Sequence, residues 1–180
     1  VLIYSDLKII KLNFDLLEEI NIYTISIPFT VLCFLTLINS LNFYDGINGQ
    51  SSAYILFIFI YMYIQTSFPI LIYLLVPLIF FMYLNIKEKA FMGDSGIYGY
   101  SYLIGLVFVL AYNNNLINIE EIILLSMLPF IDLLRLSYSR IIRGNSPFLG
   151  DKYHLHHLIN YKSALLYTNF LLLFLSSLPI

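Results

Sequence analysis

The sequence predicts an all-α polytopic membrane protein with about six transmembrane helices. Of its 180 residues, 60% are hydrophobic and only 11% are charged, whereas soluble domains are usually about 25% charged. Long runs without a charged residue cover most of the chain, and a spanning helix needs about 20 such residues. Because backbone groups in hydrocarbon must pair internally, these spans are expected to be helices and not strands.

The charge-free runs locate the first four spans. The runs from Ile20 to Tyr44 and from Ser95 to Ile119 are each long enough for one helix. The run from Gly46 to Ile86 is too long for one helix and fits two short ones. Residues 66–69 predict the turn between these two, because Pro69 favours a helix start and disfavours a helix interior.

Two further spans and an N-terminal segment complete the predicted organisation. The later spans run from about Glu120 to Ser137 and from about Ser163 to Ile180. Residues 1–20 form a separate segment before the membrane portion at 21–180, and the alternation in residues 7–12 favours a short strand or hairpin there. Since the chain opens with Val1 on an amphipathic stretch, we expect it to be a piece of a larger protein.

Positive charges fall on one side of the predicted bundle. The loops around Ser67 and around residues 113–115 contain no Lys or Arg, and the positive-inside rule therefore places them outside, together with residues 1–20. The cytoplasmic side receives Lys87, Lys89, Arg135, Arg140, Arg143, Lys152 and Lys162.

The composition also excludes some classes of function. The net charge is −2, so the chain lacks the basic footprint of a nucleic-acid-binding protein. Cys33 is the single cysteine, so it forms no internal disulfide and is expected to pack as a small apolar side chain.

Three polar clusters interrupt the spans on the predicted cytoplasmic side, and the first covers residues 39–50. Asn39 and Asn42 share one helix face, Asp45 continues that face if the helix persists, and Gly46 can end the helix. The amides can recognise a base or sugar, and the carboxylate can bind a metal or a sugar hydroxyl. The alternative interpretation is an ordinary polar helix end with a glycine turn.

The second cluster covers residues 91–96, where a Gly-Asp-Ser-Gly sequence precedes a span. Such a loop presents backbone N–H groups that suit phosphate, and Asp94 can supply an oxygen ligand to Mg²⁺. The alternative is that Asp94 or Ser95 caps the N-terminus of the fourth span.

The third cluster covers residues 140–157 and contains every histidine of the chain: His154, His156 and His157. A zinc site lacks a fourth ligand of the usual type, and phosphate recognition together with Arg140 and Arg143 fits better. The alternative is a basic loop that contacts anionic lipid. Asp132 lies inside a span and is a functional candidate, although Arg135 offers it a structural partner.

In their order along the chain, these clusters resemble the polyprenyl-phosphate N-acetylhexosamine-1-phosphate transferases, the MraY/WecA group of glycosyltransferase family 4. Residues 39–49 are similar to that family's Asn-x-x-Asn-x-x-Asp-Gly-x-Asp/Asn-Gly loop, and residues 91–96 to its Phe-Met-Gly-Asp-x-Gly loop. The late segment, with Asp132 and residues 140–158, resembles the part ending in Asp-Lys/Arg-x-His-x-His-His-Leu.

Two departures accompany the resemblance. Asn48 stands where many members have a second Asp, and nothing before Asn39 resembles the family's Asp-Asp loop. The Asn48 variant and the Ser-Pro-Phe sequence at 146–148 are more similar to the branch that starts O-antigen, capsule or other surface glycans.

The resemblance implies transfer of an N-acetylhexosamine-1-phosphate from a UDP-sugar to polyprenyl (undecaprenyl) phosphate, with release of UMP, at the cytoplasmic face of the bacterial plasma membrane. It implies Mg²⁺ or Mn²⁺, held by Asp94, and it leaves a homodimer open. The implied catalytic residues are Asp45, Asp94, His154, His156 and His157. The implied substrate-binding residues are Asn39, Asn42, Asn48, Arg140 and Arg143. Two other classes stay open: a transporter fragment and a non-catalytic remnant.

Overall fold

The computed structural model describes residues 7–14, 19–46, 48–142 and 144. These residues contain two short strands, a 3-10 turn at Tyr23–Ile25 and five helices. In chain order the elements are β1 (Lys11–Leu12), β2 (Ile20–Asn21), α1 (Ser26–Tyr44), α2 (Gln50–Thr66), α3 (Pro69–Ile86), α4 (Gly93–Asn113) and α5 (Ile119–Ile142).

The helical membrane fold that the sequence predicts is confirmed. Three segments are long and apolar enough to cross a membrane: Tyr23–Tyr44, Pro69–Ile86 and Gly93–Asn113. Helix α2 is free of charge but has only 17 residues, and α5 carries charges at both ends and in its middle. The predicted span at 163–180 lies outside the described residues, so the number of six spans stays a prediction.

The boundary between the second and third helices falls where the proline predicts it. Helix α2 ends at Thr66, Ser67 follows in the left-handed region with φ 54°, and α3 begins at Pro69. Helix α4, by contrast, begins two residues before the predicted Ser95 and ends at Asn113. Its end falls at the start of the loop that the sequence predicts around residues 113–115.

The turn after α4 satisfies the backbone groups at the end of this helix. Asn115 lies in the left-handed region with φ 54°. Its N–H donates to the Tyr112 carbonyl at 2.9 Å, and the Leu116 N–H donates to the Ala111 carbonyl at 2.9 Å. These two bonds satisfy carbonyls that a helix end otherwise leaves without partners. Asparagine tolerates the left-handed conformation better than most residues.

Helix α1 packs against both α4 and α5, while α2 packs against α3 and α4. The approach of α1 to α4 is close at Gly105, where a Cβ atom would lie 2.6 Å from the Phe34 ring. The fully buried side chains between the helices include Leu41, Ile55, Phe59, Met62 and Ile97. The outer face of α3 exposes large apolar side chains, among them Tyr73, Val76 and Phe80, as expected for a surface in contact with lipid.

The N-terminal segment forms the predicted hairpin and is anchored to two helices. Strands β1 and β2 pair antiparallel. The Tyr112 hydroxyl, at the end of α4, accepts a hydrogen bond from the Asn13 N–H at 2.9 Å and donates one to the Lys11 carbonyl at 3.0 Å. The Thr30 hydroxyl of α1 accepts from the Ile9 N–H at 2.9 Å. The hairpin therefore covers the end of the bundle where α1 begins and α4 ends.

Pro129, inside α5, leaves a backbone carbonyl that bonds to a side chain of α2. Pro129 has no N–H, so it cannot donate to the carbonyl of Leu125, four residues earlier. The Tyr54 hydroxyl of α2 donates to that carbonyl instead. Both residues are buried, so no water replaces this hydrogen bond.

We predict that Tyr54→Phe lowers the free energy of unfolding by about 1–3 kcal/mol, because the Leu125 carbonyl then stays buried without a partner. In a Pro129→Ala background the cost is smaller, since a backbone N–H at position 129 can donate to the same carbonyl. Unfolding in detergent, followed for the four members of this double-mutant cycle, measures the difference.

Tyr63→Phe is the matched control on α2, since Tyr63 is only half-buried; we expect a change below about 0.5 kcal/mol. An equal loss for Tyr54→Phe with and without Pro129 would show that the hydroxyl does not compensate for the proline.

Candidate functional site

The first two polar clusters meet at one end of the bundle, opposite the hairpin. Helix α1 ends at Tyr44 and α3 ends at Ile86, while α2 begins at Gln50 and α4 begins at Gly93. The Asp45 and Asp94 carboxylates are close enough for the charge of one to act on the other. The structure therefore brings together the two carboxylates that the sequence indicated as candidate site residues.

Asp45 lies at the end of α1 and is tied to the start of α2. Helix α1 stops one residue before Asp45 and two before Gly46, and the Asp45 N–H donates to the Leu41 carbonyl at 3.1 Å. One carboxylate oxygen of Asp45 accepts a hydrogen bond from the Ser51 hydroxyl in the first turn of α2. This bond fixes the carboxylate across the loop that joins the two helices.

The surroundings of Asp45 act on its protonation in opposite directions. Partial burial raises the pKa of the Asp45 carboxyl, because the charged form loses contact with water. The hydrogen bond from Ser51 lowers this pKa, and the nearby negative charge of Asp94 raises it again. Since burial is the largest cause, the net shift is upward, and a cation beside Asp45 would favour its charged form.

Asp94 lies in the first turn of α4. The residue that caps this helix is Met92, without a side-chain hydrogen bond, so the interpretation of Asp94 or Ser95 as the N-cap is wrong. The cause is Gly93, which adopts φ +61° and starts the helix before Asp94. Asp94 is exposed and its carboxylate is available to a ligand.

A glycine with positive φ stands at the start of both α2 and α4. Gly49 precedes α2 with φ 86°, as Gly93 opens α4 with φ 61°, and both values lie in the region that favours glycine. The N-termini of α2 and α4 therefore open beside Asp45 and Asp94. Helix N-termini carry partial positive charge and backbone N–H groups, which suit phosphate.

Asn85 joins the two loops, and the sequence analysis missed it. Its Oδ1 accepts a hydrogen bond from the Gly49 N–H at 2.6 Å, and its Nδ2 donates to the Ala90 carbonyl at 2.8 Å. The residue is 5% exposed. The signal in the sequence was a lone amide near the end of the apolar run that finishes at Ile86.

The three asparagines of the first cluster occupy different surroundings. Asn39 is exposed on α1 and donates to the Leu35 carbonyl of its own helix at 2.7 Å. Asn42 is half-buried one turn before Asp45, and its carbonyl accepts from the Asp45 N–H at 3.3 Å. Asn48 is half-buried in the turn before α2. Of the three, Asn42 and Asn48 flank Asp45 most directly in the chain.

Gln50 is a second buried amide at this end. It is 2% exposed, and the Tyr44 side chain lies beside it. Within the described ranges, neither amide atom of Gln50 makes a hydrogen bond of ordinary geometry. Buried amides without such bonds are uncommon in folded proteins, and this one directly follows Gly49.

The end of α5 lies beside the end of α1. The Arg140 guanidinium lies over the Phe43 ring, 5.0 Å from its centroid, and Arg140 is 3% exposed. Asp132 is 2% exposed and accepts hydrogen bonds from Arg135 at 2.8 and 3.2 Å. The structural pairing of Asp132 is thus confirmed. Other predicted site residues lie outside the described residues: Arg143, His154, His156 and His157.

The donor atoms at this end suit a hard divalent cation. In the part of the chain that the structure describes, no group of three or more His, Cys, Asp or Glu side chains comes together. Asp45 and Asp94 offer carboxylate oxygens, and Mg²⁺ is commonly bound by one or two carboxylates together with water and substrate phosphates. The residues present therefore fit Mg²⁺ in the company of a phosphate ligand.

These features define a class: a helical membrane protein with two carboxylates and two helix N-termini at one end of its bundle. The family described as glycosyl transferase family 4 matches this chain over residues 1–112. The chain belongs to that family.

Curated relatives of the chain carry a common name, undecaprenyl-phosphate α-N-acetylglucosaminyl 1-phosphate transferase. The protein from Yersinia pestis is 29% identical over 136 residues, which are 68% of this chain and 37% of the relative. The protein from Escherichia coli K12 gives the same identity and coverage. The protein from Haemophilus influenzae is 32% identical over 75 residues, 41% of this chain and 21% of the relative.

The aligned region is thus little more than a third of the length of the Yersinia and Escherichia relatives. No solved structure matches the chain.

We predict that Ser51→Ala raises the pKa of Asp45 further, because the hydroxyl stabilises the charged carboxylate. Asp94→Asn should lower the same pKa, because it removes a neighbouring negative charge. A pH titration of ¹³C-labelled aspartate, with Asp45 assigned by its own substitution, measures both shifts.

Ser101→Ala is the matched control, since the Ser101 hydroxyl donates within α4 to the Ile97 carbonyl; it should leave Asp45 unchanged. Shifts of the same sign for Ser51→Ala and Asp94→Asn would contradict the arrangement described here.

Proposed function

We propose that this chain is part of a membrane enzyme that transfers N-acetylhexosamine-1-phosphate from a UDP-sugar to undecaprenyl phosphate and releases UMP. The observation that carries the proposal is the meeting of Asp45 and Asp94 at one end of the bundle in a member of glycosyl transferase family 4. The shared name of the relatives supports the lipid acceptor and the sugar. The reaction would initiate a cell-surface glycan.

The location of the site suits the two substrates. A nucleotide sugar is soluble, whereas a polyprenyl phosphate lies in the bilayer, so the reacting atoms must meet at the membrane surface. Asp45 follows the last residue of α1 and Asp94 lies in the first turn of α4, so both stand at the ends of apolar segments. We infer that this end faces the cytoplasm of a bacterial cell, because the predicted loops at this end carry the lysines and arginines.

The chemistry is an exchange of phosphate bonds. A phosphate oxygen of the lipid acceptor attacks the β-phosphorus of the UDP-sugar and forms a new P–O bond. The bond from that phosphorus to the bridging oxygen breaks, and UMP leaves with the bonding electron pair. When bound, Mg²⁺ would neutralise charge on the diphosphate and the leaving group.

Each part of the site has a role in this reaction. Asp94, supported by Asp45, would hold the cation, and the N-termini of α2 and α4 would attract the phosphates. Asn39, Asn42 and Asn48 would contact the base or sugar. A larger set would bind phosphate or the N-acetyl group: Arg140, Arg143, His154, His156 and His157.

The proposal concerns the full-length protein, because the aligned region covers only 37% of the Yersinia relative. An in-frame Asp-Asp loop encoded upstream of Val1, between further spans, would support a complete enzyme. A start codon close to Val1 would favour the alternative of a non-catalytic remnant.

We predict that Asp94→Asn in the full-length protein lowers metal-dependent UMP release at least about 10²-fold, because the main carboxylate ligand of the cation is lost. Turnover is measured with undecaprenyl phosphate and several UDP-N-acetylhexosamines. Glu88→Gln is the control, since Glu88 is an exposed acid in the segment between α3 and α4; its rate should stay within about twofold.

No UMP release by the unmodified full-length protein with any of these sugars would refute the proposed function. Normal turnover in Asp94→Asn would remove Asp94 from the cation site.

We also predict that His156→Ala lowers kcat/KM at least about tenfold without changing membrane insertion, because a phosphate or sugar contact is lost. The rate is compared at equal amounts of inserted protein, quantified in isolated membranes. Unchanged kinetics would assign the histidine cluster a structural role.

A further inference from the structure

We propose that Asn85 is a positioning residue that holds two loops at a fixed spacing. The first loop joins α1 to α2 and contains Asp45, and the second joins α3 to α4 and leads into Asp94. The effect of Asn85 on turnover rests on the proposed function, whereas its effect on the spacing of the loops does not.

A single buried amide reaches both loops. Its oxygen accepts from the Gly49 N–H at 2.6 Å, and its nitrogen donates to the Ala90 carbonyl at 2.8 Å. Gly49 follows Asp45 by four residues, and Ala90 precedes Asp94 by four. The amide side chain supplies the acceptor and the donor that this bridge needs.

The backbone of Asn85 also shapes the second loop. The Asn85 carbonyl accepts from the Glu88 N–H at 3.0 Å, and the Leu84 carbonyl accepts from the Lys89 N–H at 2.9 Å. With Glu88 at φ 56°, these bonds form the Schellman motif that ends α3. The bridge to Gly49 therefore starts from a helix end that is itself fixed.

The hydrogen bonds of Asn85 counteract the electrostatic repulsion between Asp45 and Asp94. Asp45 and Asp94 carry like charges and lie close enough to influence each other, so Coulomb repulsion tends to separate their loops. Ser51 fixes the Asp45 carboxylate, but that bond lies within the first loop and its helix. The two hydrogen bonds of the Asn85 side chain connect the first loop to the second.

Asn85 acts through the loops and not by touching the substrate. It is 5% exposed, and its amide oxygen and nitrogen already have partners in the two loops. A loss of the bridge should therefore change the relative position of Asp45 and Asp94 while both carboxylates remain present.

The first test measures the spacing in the full-length protein. Spin labels are attached at Gly46→Cys and Lys89→Cys, two exposed positions on the two loops, with Cys33→Ser to remove the native thiol. We expect one narrow distance distribution in the otherwise unmodified protein. With Asn85→Ala the distribution should broaden or move by about 1 Å or more, and an identical distribution would overturn the proposal.

Two companion variants sharpen the comparison. Asn85→Asp keeps an acceptor for the Gly49 N–H but places a second acceptor against the Ala90 carbonyl, so it should also disturb the distance even if Asn85→Ala fails to fold. Asn114→Ala is the matched control, since the Asn114 amide donates to the Leu110 carbonyl of the preceding helix turn, at 2.7 Å, away from both loops. The distance in Asn114→Ala should be unchanged.

The second test is kinetic. For Asn85→Asp we expect kcat per folded molecule to fall about 10- to 100-fold and the Mg²⁺ concentration for half-maximal rate to rise, with a smaller change in KM. A merely structural role would reduce the amount of folded protein and leave both kcat and the Mg²⁺ dependence unchanged, which would overturn the positioning role. If the unmodified protein released no UMP, the proposed function would fail and the distance measurement would still decide the bridge.

Discussion

The site depends on keeping two carboxylates of like charge, Asp45 and Asp94, close together at one end of the bundle. Burial already raises the pKa of Asp45, and the charge of Asp94 adds to this. The protein supplies partial compensation through the Ser51 hydroxyl and through the N-termini of two helices. The remaining negative charge suits the site to a divalent cation bound together with a phosphate group.

This constraint accounts for several otherwise unrelated local features. The left-handed glycines at positions 49 and 93 start α2 and α4 beside the carboxylates. Asn85 is buried near the end of α3, where its side chain bonds to both loops. Each feature is costly or unusual alone, because positive φ restricts the residue type and a buried amide needs partners. Together they place Asp45 and Asp94 at one end of an otherwise apolar bundle.

The sequence predicted the features that depend on local pattern. Charge-free runs and Pro69 located the break between α2 and α3, because proline acts on its own helix. The alternation of spans predicted that Asp45 and Asp94 share one end, because four consecutive helices reverse direction at each loop. The pairing of Asp132 with Arg135 followed from a spacing of three residues.

Features that depend on distant contacts could not be predicted in this way. Asn85 contacts Gly49, which lies 36 positions earlier in the sequence, and no local pattern predicts this contact. Arg140 is buried against Phe43 of another helix, although an arginine at a predicted helix end suggests exposure. Helix α4 starts at Gly93 because of one backbone angle, which moves Asp94 from a predicted cap into the first turn.

The hydrogen bond from Tyr54 to the Leu125 carbonyl attaches only the part of α5 before Pro129 to α2. The part before Pro129 is pinned to α2, whereas the part after it, with Arg140 near its end, is joined to the pinned part through a position that lacks the usual backbone hydrogen bond. A helix bends most easily at such a position. The last turns of α5 are held separately, since Arg140 lies buried over the Phe43 ring of α1; the two parts of α5 are therefore attached to two different helices.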